Sequence, residues 1–161
     1  MKATITRRYR FSASHRLHAP ELSAADNERL YGKCNNPFGH GHDYELEVTA
    51  SGEIDDRTGR ILPLADLDQL VEDKILRLFS HRNINLDVPQ FERLVPTTEN
   101  IVVVIADLLE RNWTAYLGQT SARLSRVHVQ ETGRNGFELR MRAPKDNTNQ
   151  TVQSENLFVN A

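Results

Sequence analysis

Disulfides are the first thing this sequence has no means to make. Its 161 residues include one cysteine, Cys34, which excludes an intramolecular disulfide framework and suits a reducing compartment. An excess of one charge is missing too. Twenty Lys and Arg against 22 Asp and Glu leave a formal charge of −2, with none of the basic surplus that nucleic-acid binding calls for. No apolar run approaches the roughly 18–20 residues of a membrane-spanning helix. The start, MKATITRRYRF, carries charges where a signal peptide has its apolar core. The expectation is a cytoplasmic protein with neither a membrane nor a nucleic-acid partner. A GxGxxG fingerprint is also absent, so no nicotinamide cofactor is expected. What is present, 39% hydrophobic and 26% charged residues, is ordinary for a globular chain, and the length fits one compact domain or at most two very small ones. Against the single cysteine stand six histidines, at positions 15, 18, 40, 42, 81 and 128.

Periodicity supplies the elements. Ala3, Ile5, Tyr9, Phe11 and Ala13 share one parity, interrupted only by Arg7 and continued by His15, which predicts a half-buried strand over residues 3–15. Residues 16–38, with Pro20, Gly32 and Asn35-Asn36-Pro37, read as a long loop, and long loops in compact domains are usually functional. A second strand over residues 40–50 puts His40, His42, Tyr44, Leu46, Val48 and Ala50 on one face. Leu64, Leu67, Val71, Ile75 and Leu78 recur at helical spacing. A second helix begins near Pro96, capped by Thr97 or Thr98, with Glu99 at its positive end and Ile101, Ile105, Leu108 and Leu109 as its stripe. Val127, Val129 and Glu131 share a face of a third strand. Gly133-Arg134-Asn135-Gly136 turns into a fourth, where Phe137, Leu139 and Met141 alternate. The order β-β-α-α-β-β is an α+β pattern, residues 1–143 forming the domain and 144–161 a polar tail.

His40 and His42, two apart, share a strand face, and Gly41 between them leaves room for a close approach. His15 ends the apolar face of the first strand where His40 begins that of the second. Antiparallel pairing therefore brings three imidazoles together, a sufficient set for a catalytic zinc with an open fourth position. Taken singly, each could be a hydrogen-bonded strand-end residue. Cys34, in the long loop, could be a ligand, a thiolate base or nucleophile, or a small buried residue. His18 reads as a loop residue and His128 as structural or solvent-facing.

The run Phe11-Ser12-Ala13-Ser14-His15-Arg16-Leu17, followed by Gly32-Lys33-Cys34-Asn35-Asn36-Pro37-Phe38-Gly39-His40-Gly41-His42, closely resembles the 6-pyruvoyl-tetrahydropterin synthase family. Further matches at Gly52-Glu53-Ile54-Asp55, Leu64-Ala65-Asp66-Leu67, His81-Arg82-Asn83, Pro96-Thr97-Thr98-Glu99-Asn100 and Glu131-Thr132 extend the resemblance from about residue 5 to about residue 143. It implies a tunnelling fold whose β-β-α-α-β-β units, each an antiparallel sheet with two helices on one face, trimerise and stack as a hexamer. It implies Zn2+ on His15, His40 and His42, with Cys34 and His81 catalytic. Glu131 would anchor a pterin, and Thr97, Thr98 and Glu99 would line its pocket at a subunit boundary. From the residues alone, Glu131 is a strand-end carboxylate, Thr97 and Thr98 are caps, Glu99 complements the helix dipole, and His81 could cap the first helix. The implied reaction converts 7,8-dihydroneopterin triphosphate to 6-pyruvoyl-tetrahydropterin, and Arg16, Lys33 and Arg82 are candidate cations for the triphosphate. Two alternatives are a 6-carboxytetrahydropterin synthase of deazapurine (queuosine) biosynthesis and a catalytically reduced pterin-binding homologue. The C-x5-H-G-H spacing leans toward the pyruvoyl type. One departure matters: the aspartate that commonly precedes the catalytic histidine is Ser80 here.

Overall fold

The chain is described, in a computed structural model, over residues 1–142. The boundary expected at 143 and the polar tail after it lie outside the described residues. The elements are β1 (Lys2–His15), α1 (Ala24–Tyr31), β2 (His40–Glu53), α2 (Leu64–Val71), α3 (Arg77–Phe79), β3 (Arg82–Asn83), α4 (Ile84–Asp87), α5 (Thr98–Leu117), β4 (Arg123–Gln130) and β5 (Gly136–Arg140). The strands form one sheet in the order β3-β1-β2-β4-β5. β1 and β2 pair antiparallel over their whole length, from Lys2 opposite Glu53 to His15 opposite His40. All other pairings are antiparallel except the short β3, which runs parallel to Ala13 and Ser14 at the edge.

The alternation in sequence is the alternation in burial. Phe11, Ala13, Tyr44, Leu46, Val48, Val127 and Val129 face the helices and are buried. On the other side, Leu67, Leu70 and Val71 of α2 and Ile101, Ile105 and Leu109 of α5 close the core. A bulge in β4 pairs Thr49 with Arg126 and Ala50 with Leu124. Leu124 and Val127, three residues apart, thereby both point inward. A π-helical turn over Glu72–Leu76 links α2 to α3, so the expected first helix is one continuous helical stretch.

Four elements depart from the sequence reading. The expected loop over 16–38 contains α1 and a 3₁₀ turn, Gly32–Asn35. Periodicity missed α1 because it has no apolar stripe; its buried residue is Asn27, whose amide donates to the carbonyls of Ala19, Leu22 and Ser23. The signal that was available is the cap: the Ser23 hydroxyl accepts from the Asp26 N–H, and Gly32 follows the last turn. β3 and α4, two and four residues long, are too short for any periodic signal.

Arg7, the one polar interruption of the buried parity of β1, pins the sheet to α2. Its guanidinium donates twice to the Asp68 carboxylate, at 3.0 and 2.5 Å, and the Tyr9 hydroxyl donates to the same carboxylate at 2.7 Å. Burial pushes the Asp68 carboxyl up, but the bonds from Arg7 and Tyr9 and the Arg7 charge outweigh it and hold the group below the usual carboxylate range. Asp68→Asn is therefore expected to cost about 1–2 kcal/mol at neutral pH, because a guanidinium loses its counter-charge. The side chains are still 39% and 37% exposed, which keeps the loss below that of a fully buried pair. A carboxylate depressed in the folded state stabilises above its unfolded pKa of about 4, and that stabilisation is lost as pH falls through the folded value. Urea unfolding of both proteins from about pH 7 to about pH 2 should show the gap closing in acid; a pH-independent gap would contradict the assignment.

Candidate active site

The β1–β2 register ends on the histidines. His15 and His40 are opposite each other, and His42 lies two residues further along the same face. Their ligating nitrogens all fall within 4.8 Å of one another, and the Nε2 atoms of His15 and His40 are 3.2 Å apart. Two nitrogens on one tetrahedral zinc would be separated by roughly 3.4 Å. Nδ1 of the buried His15 lies 2.7 Å from the Pro96 carbonyl, so it donates there and leaves Nε2 with a lone pair aimed at the other imidazoles. Nε2 of His42 is buried without a hydrogen-bond partner. Burial, with the neighbouring histidines, holds His15 below its ordinary pKa against the opposing pull of Pro96 and Glu131. Burial and His42 do the same for His40. Converging imidazoles, two of them held toward the neutral form, with an orphaned nitrogen on the third suit a divalent metal such as zinc.

Glu131 follows β4 and is only 12% exposed in its side chain. Its Oε1 lies 3.5 Å from His15 Nε2 and 3.7 Å from His42 Nε2. The Tyr44 hydroxyl is buried nearby, and burial together with the Glu131 charge pushes it far up, so it stays protonated. Cys34 sits on the 3₁₀ turn, which is stapled to the residues just after His15. The Leu17 N–H donates to the Cys34 carbonyl at 2.9 Å, and Arg16 donates to Asn35 through Nε and a terminal nitrogen. Burial and the Glu131 charge push the Cys34 thiol up.

His81 occupies different ground. It is exposed, adopts φ 58°, and its N–H donates to the Ser12 carbonyl at 2.6 Å. A left-handed non-glycine residue costs of order 1–3 kcal/mol and persists only where its surroundings hold it. It lines a cavity of about 480 Å³ with Ser12, His42, Asp43 and Arg82; Cys34 is not part of that lining. Thr97 caps α5, accepting from the Asn100 N–H at 3.3 Å, while Thr98 is buried and Glu99 is exposed in the first turn. None of these three bonds to the histidines or to Glu131 among the described residues. The contribution of this helix end that sequence reasoning missed is the Pro96 carbonyl, for which no side-chain signal exists.

The remaining polar candidates sort out plainly. Arg16 donates to the uncharged oxygens of Asn35, which orient its guanidinium without neutralising it, and Lys33 and Arg82 are exposed. His18 is more than a loop residue: its Nδ1 donates to the Asn35 side chain at 2.9 Å, bracing the turn that carries Cys34. His128 packs against Gly136 in the β4–β5 hairpin, a structural place. A larger groove of about 820 Å³ lies at the far end of β2, around Glu53, Asp55 and Arg60, away from the histidines.

The sequence profile described as 6-pyruvoyl tetrahydropterin synthase matches residues 4–142. The chain belongs to that family. It is 49% identical over 110 residues to the human 6-pyruvoyl tetrahydrobiopterin synthase, covering 68% of this chain and 76% of the human one. It is 44% identical over 131 residues to that of Poecilia reticulata, covering 81% and 85%. The solved Caenorhabditis elegans 6-pyruvoyl tetrahydropterin synthase superposes with a TM-score of 0.80 at 35% identity, covering 88% of this chain and 97% of that one. The tunnelling fold expected from the sequence is thus the fold observed, and the histidine cluster lies within the matched residues.

The glycines rank differently from the sequence expectation. Gly39, at φ 71°, is the constrained one: a Cβ there would lie 2.8 Å from the His15 carbonyl oxygen, against 3.4 Å from the Ala13 oxygen for Gly41. Gly39→Ala should push His15 and His40 apart and weaken zinc binding by roughly 10–100-fold, the range for lost support around a metal site. Gly41→Ala should stay within about threefold of wild type, a change under 1 kcal/mol. Competition with a zinc-chelating dye measures both, and the opposite ranking would contradict this geometry.

Proposed function

We propose that this chain is a zinc-dependent 6-pyruvoyl-tetrahydropterin synthase, a carbon–oxygen lyase that converts 7,8-dihydroneopterin triphosphate to 6-pyruvoyl-tetrahydropterin with elimination of triphosphate. The observation that carries this reading is the convergence of His15, His40 and His42 beside the Glu131 carboxylate. Those three histidines would hold the metal, which when bound supplies Lewis acidity toward hydroxyl oxygens of the substrate side chain. Glu131 would accept two adjacent N–H donors of the pterin ring at once, fixing orientation as well as affinity. Cys34 would remove a carbon-bound proton. Since burial and Glu131 oppose the thiolate, deprotonation needs a cation or a base beside it, and His81 is the candidate base. Thr97, Thr98 and Glu99 would border the pterin pocket, and Lys33 and Arg82 remain candidates for the triphosphate.

An oligomer completes the proposal. Only Ala13 and Ser14 of β1 pair with β3, so the outer edge of β1 from Lys2 to Ser12 has no strand beside it among the described residues; β5 forms the other edge of the sheet. Edges of that kind pair with another chain. Edge-to-edge closure into a trimer, with two trimers stacked as a hexamer, would bring the exposed His81 of one copy toward the site of another. No helix among the described residues is long and apolar enough to cross a membrane, and a cytoplasmic setting is part of the proposal.

The test is product identification. The zinc-loaded protein, incubated with 7,8-dihydroneopterin triphosphate, should yield 6-pyruvoyl-tetrahydropterin and triphosphate by coupled chromatography and mass spectrometry. Release of 6-carboxytetrahydropterin and acetaldehyde would overturn the reading. Cys34→Ala should lower kcat by roughly 10²–10⁴-fold, as expected for loss of a proton-transfer group. Glu131→Gln should raise KM by roughly 10–100-fold. Equal, negligible turnover by wild type and Cys34→Ala would indicate a pterin-binding protein instead.

A further inference from the structure

We propose that Asp43 is a positioning residue for His81, supplying the carboxylate that position 80 does not. This rests on the reading that His81 moves a proton in the pterin reaction. Ser80, immediately before His81, has a hydroxyl but no charge with which to favour an imidazolium, and its N–H is spent on the Leu76 carbonyl. A carboxylate is nevertheless present where it would be needed, because Asp43 and His81 line the same cavity on the open face of the sheet.

The cross-strand ladder on that face shows why Asp43 is unusual. Moving along β1 and β2, Arg8 pairs with Glu47 at 2.8 Å and Arg10 with Glu45 at 2.6 Å, each acid matched by the cation directly opposite. The next rung is Ser12 opposite Asp43. Here the cation is replaced by a small hydroxyl, which donates to Asp43 Oδ1 at 2.5 Å and leaves the charge unpaired. Among the described residues Asp43 forms no ion pair, and its Oδ2 has no hydrogen-bond partner. The ladder therefore runs out of arginine at the rung beside His81.

Ser12 ties the two groups together. Its hydroxyl orients Asp43, and its carbonyl accepts from the backbone N–H that holds His81 in its left-handed conformation. A carboxylate and an imidazole that line one cavity can interact through their charges without direct contact. When His81 takes up a proton in turnover, the Asp43 carboxylate offsets the positive charge, the part an aspartate plays for the histidine of a catalytic triad. The other charged or titratable side chains facing this cavity are His42 and Arg82. Arg82 is exposed and makes no ion pair with Asp43.

The experiment compares zinc-loaded wild type, Asp43→Asn, Ser80→Asp and the double variant. Asparagine keeps the acceptor for Ser12 and removes only the charge. Asp43→Asn is expected to lower kcat for 7,8-dihydroneopterin triphosphate by roughly 10–100-fold, with KM and zinc content unchanged. Adding Ser80→Asp should restore kcat to within about threefold of wild type. In parallel, the His81 imidazole 15N shifts, read by NMR at one fixed pH, should move in Asp43→Asn and return toward wild type in the double variant. A kcat within twofold of wild type in Asp43→Asn, a loss that Ser80→Asp does not restore, or a rise in KM with loss of zinc would each overturn the proposal, as would unmoved His81 imidazole shifts. The NMR arm needs no turnover. If wild type makes no pyruvoyl product while His81 still follows the carboxylate, the assigned reaction fails and the Asp43–His81 coupling stands.

Discussion

Everything at the site depends on one register, the antiparallel pairing of Lys2–His15 with His40–Glu53. A slip of one residue would send every side chain of one strand to the other face and separate the imidazoles. The register is over-determined. On the open face, Thr6 meets Thr49 at 2.8 Å and Arg8 and Arg10 meet their glutamates; on the core face, Phe11 stacks on Tyr44 with ring centroids 4.9 Å apart. Charge, hydrogen bonding and packing thus select the same alignment, and the histidines occupy its last rungs. Agreement of that kind across levels is what makes a single arrangement win.

The sheet also divides the chemistry between its two faces. Toward the helices, at the buried end of the core, lie the clustered histidines, Glu131 and the Tyr44 hydroxyl, in surroundings that penalise any charge not matched by another. Toward the open face lie His81, Asp43 and Arg82, exposed to substrate and solvent. His42, in the cluster and also lining the open-face cavity, connects the two. A metal would be placed where proteins retain metals, and a proton carrier where protons can be delivered.

Much of this was legible in the sequence, and the failures share a cause. Two-residue alternation and the spacing of His15, His40 and His42 were enough to predict the strands and the cluster, because both follow from pleat geometry. The Arg7 interruption has its reason in Asp68 of α2, a partner that strand periodicity does not reveal. The missed helix α1 packs through Asn27, a polar residue that hydropathy cannot flag. Sequence favoured Gly41 as the close-approach glycine, whereas the left-handed turn at Gly39 against the His15 carbonyl is the tighter constraint. The Pro96 carbonyl could not be anticipated, since a backbone acceptor leaves no trace in residue type. Asp43 left a faint one, an acid opposite Ser12 in a row where the other acids face arginines.

The central claim is that three imidazoles, without the lone cysteine, form a site with an open position for substrate. Zinc K-edge X-ray absorption on the metal-loaded protein tests it most directly. Three imidazole nitrogens and one further light ligand at about 2.0–2.1 Å, with no sulfur shell, are expected. A scatterer at about 2.3 Å, placing Cys34 on the metal, or a site closed by four protein ligands, would contradict it.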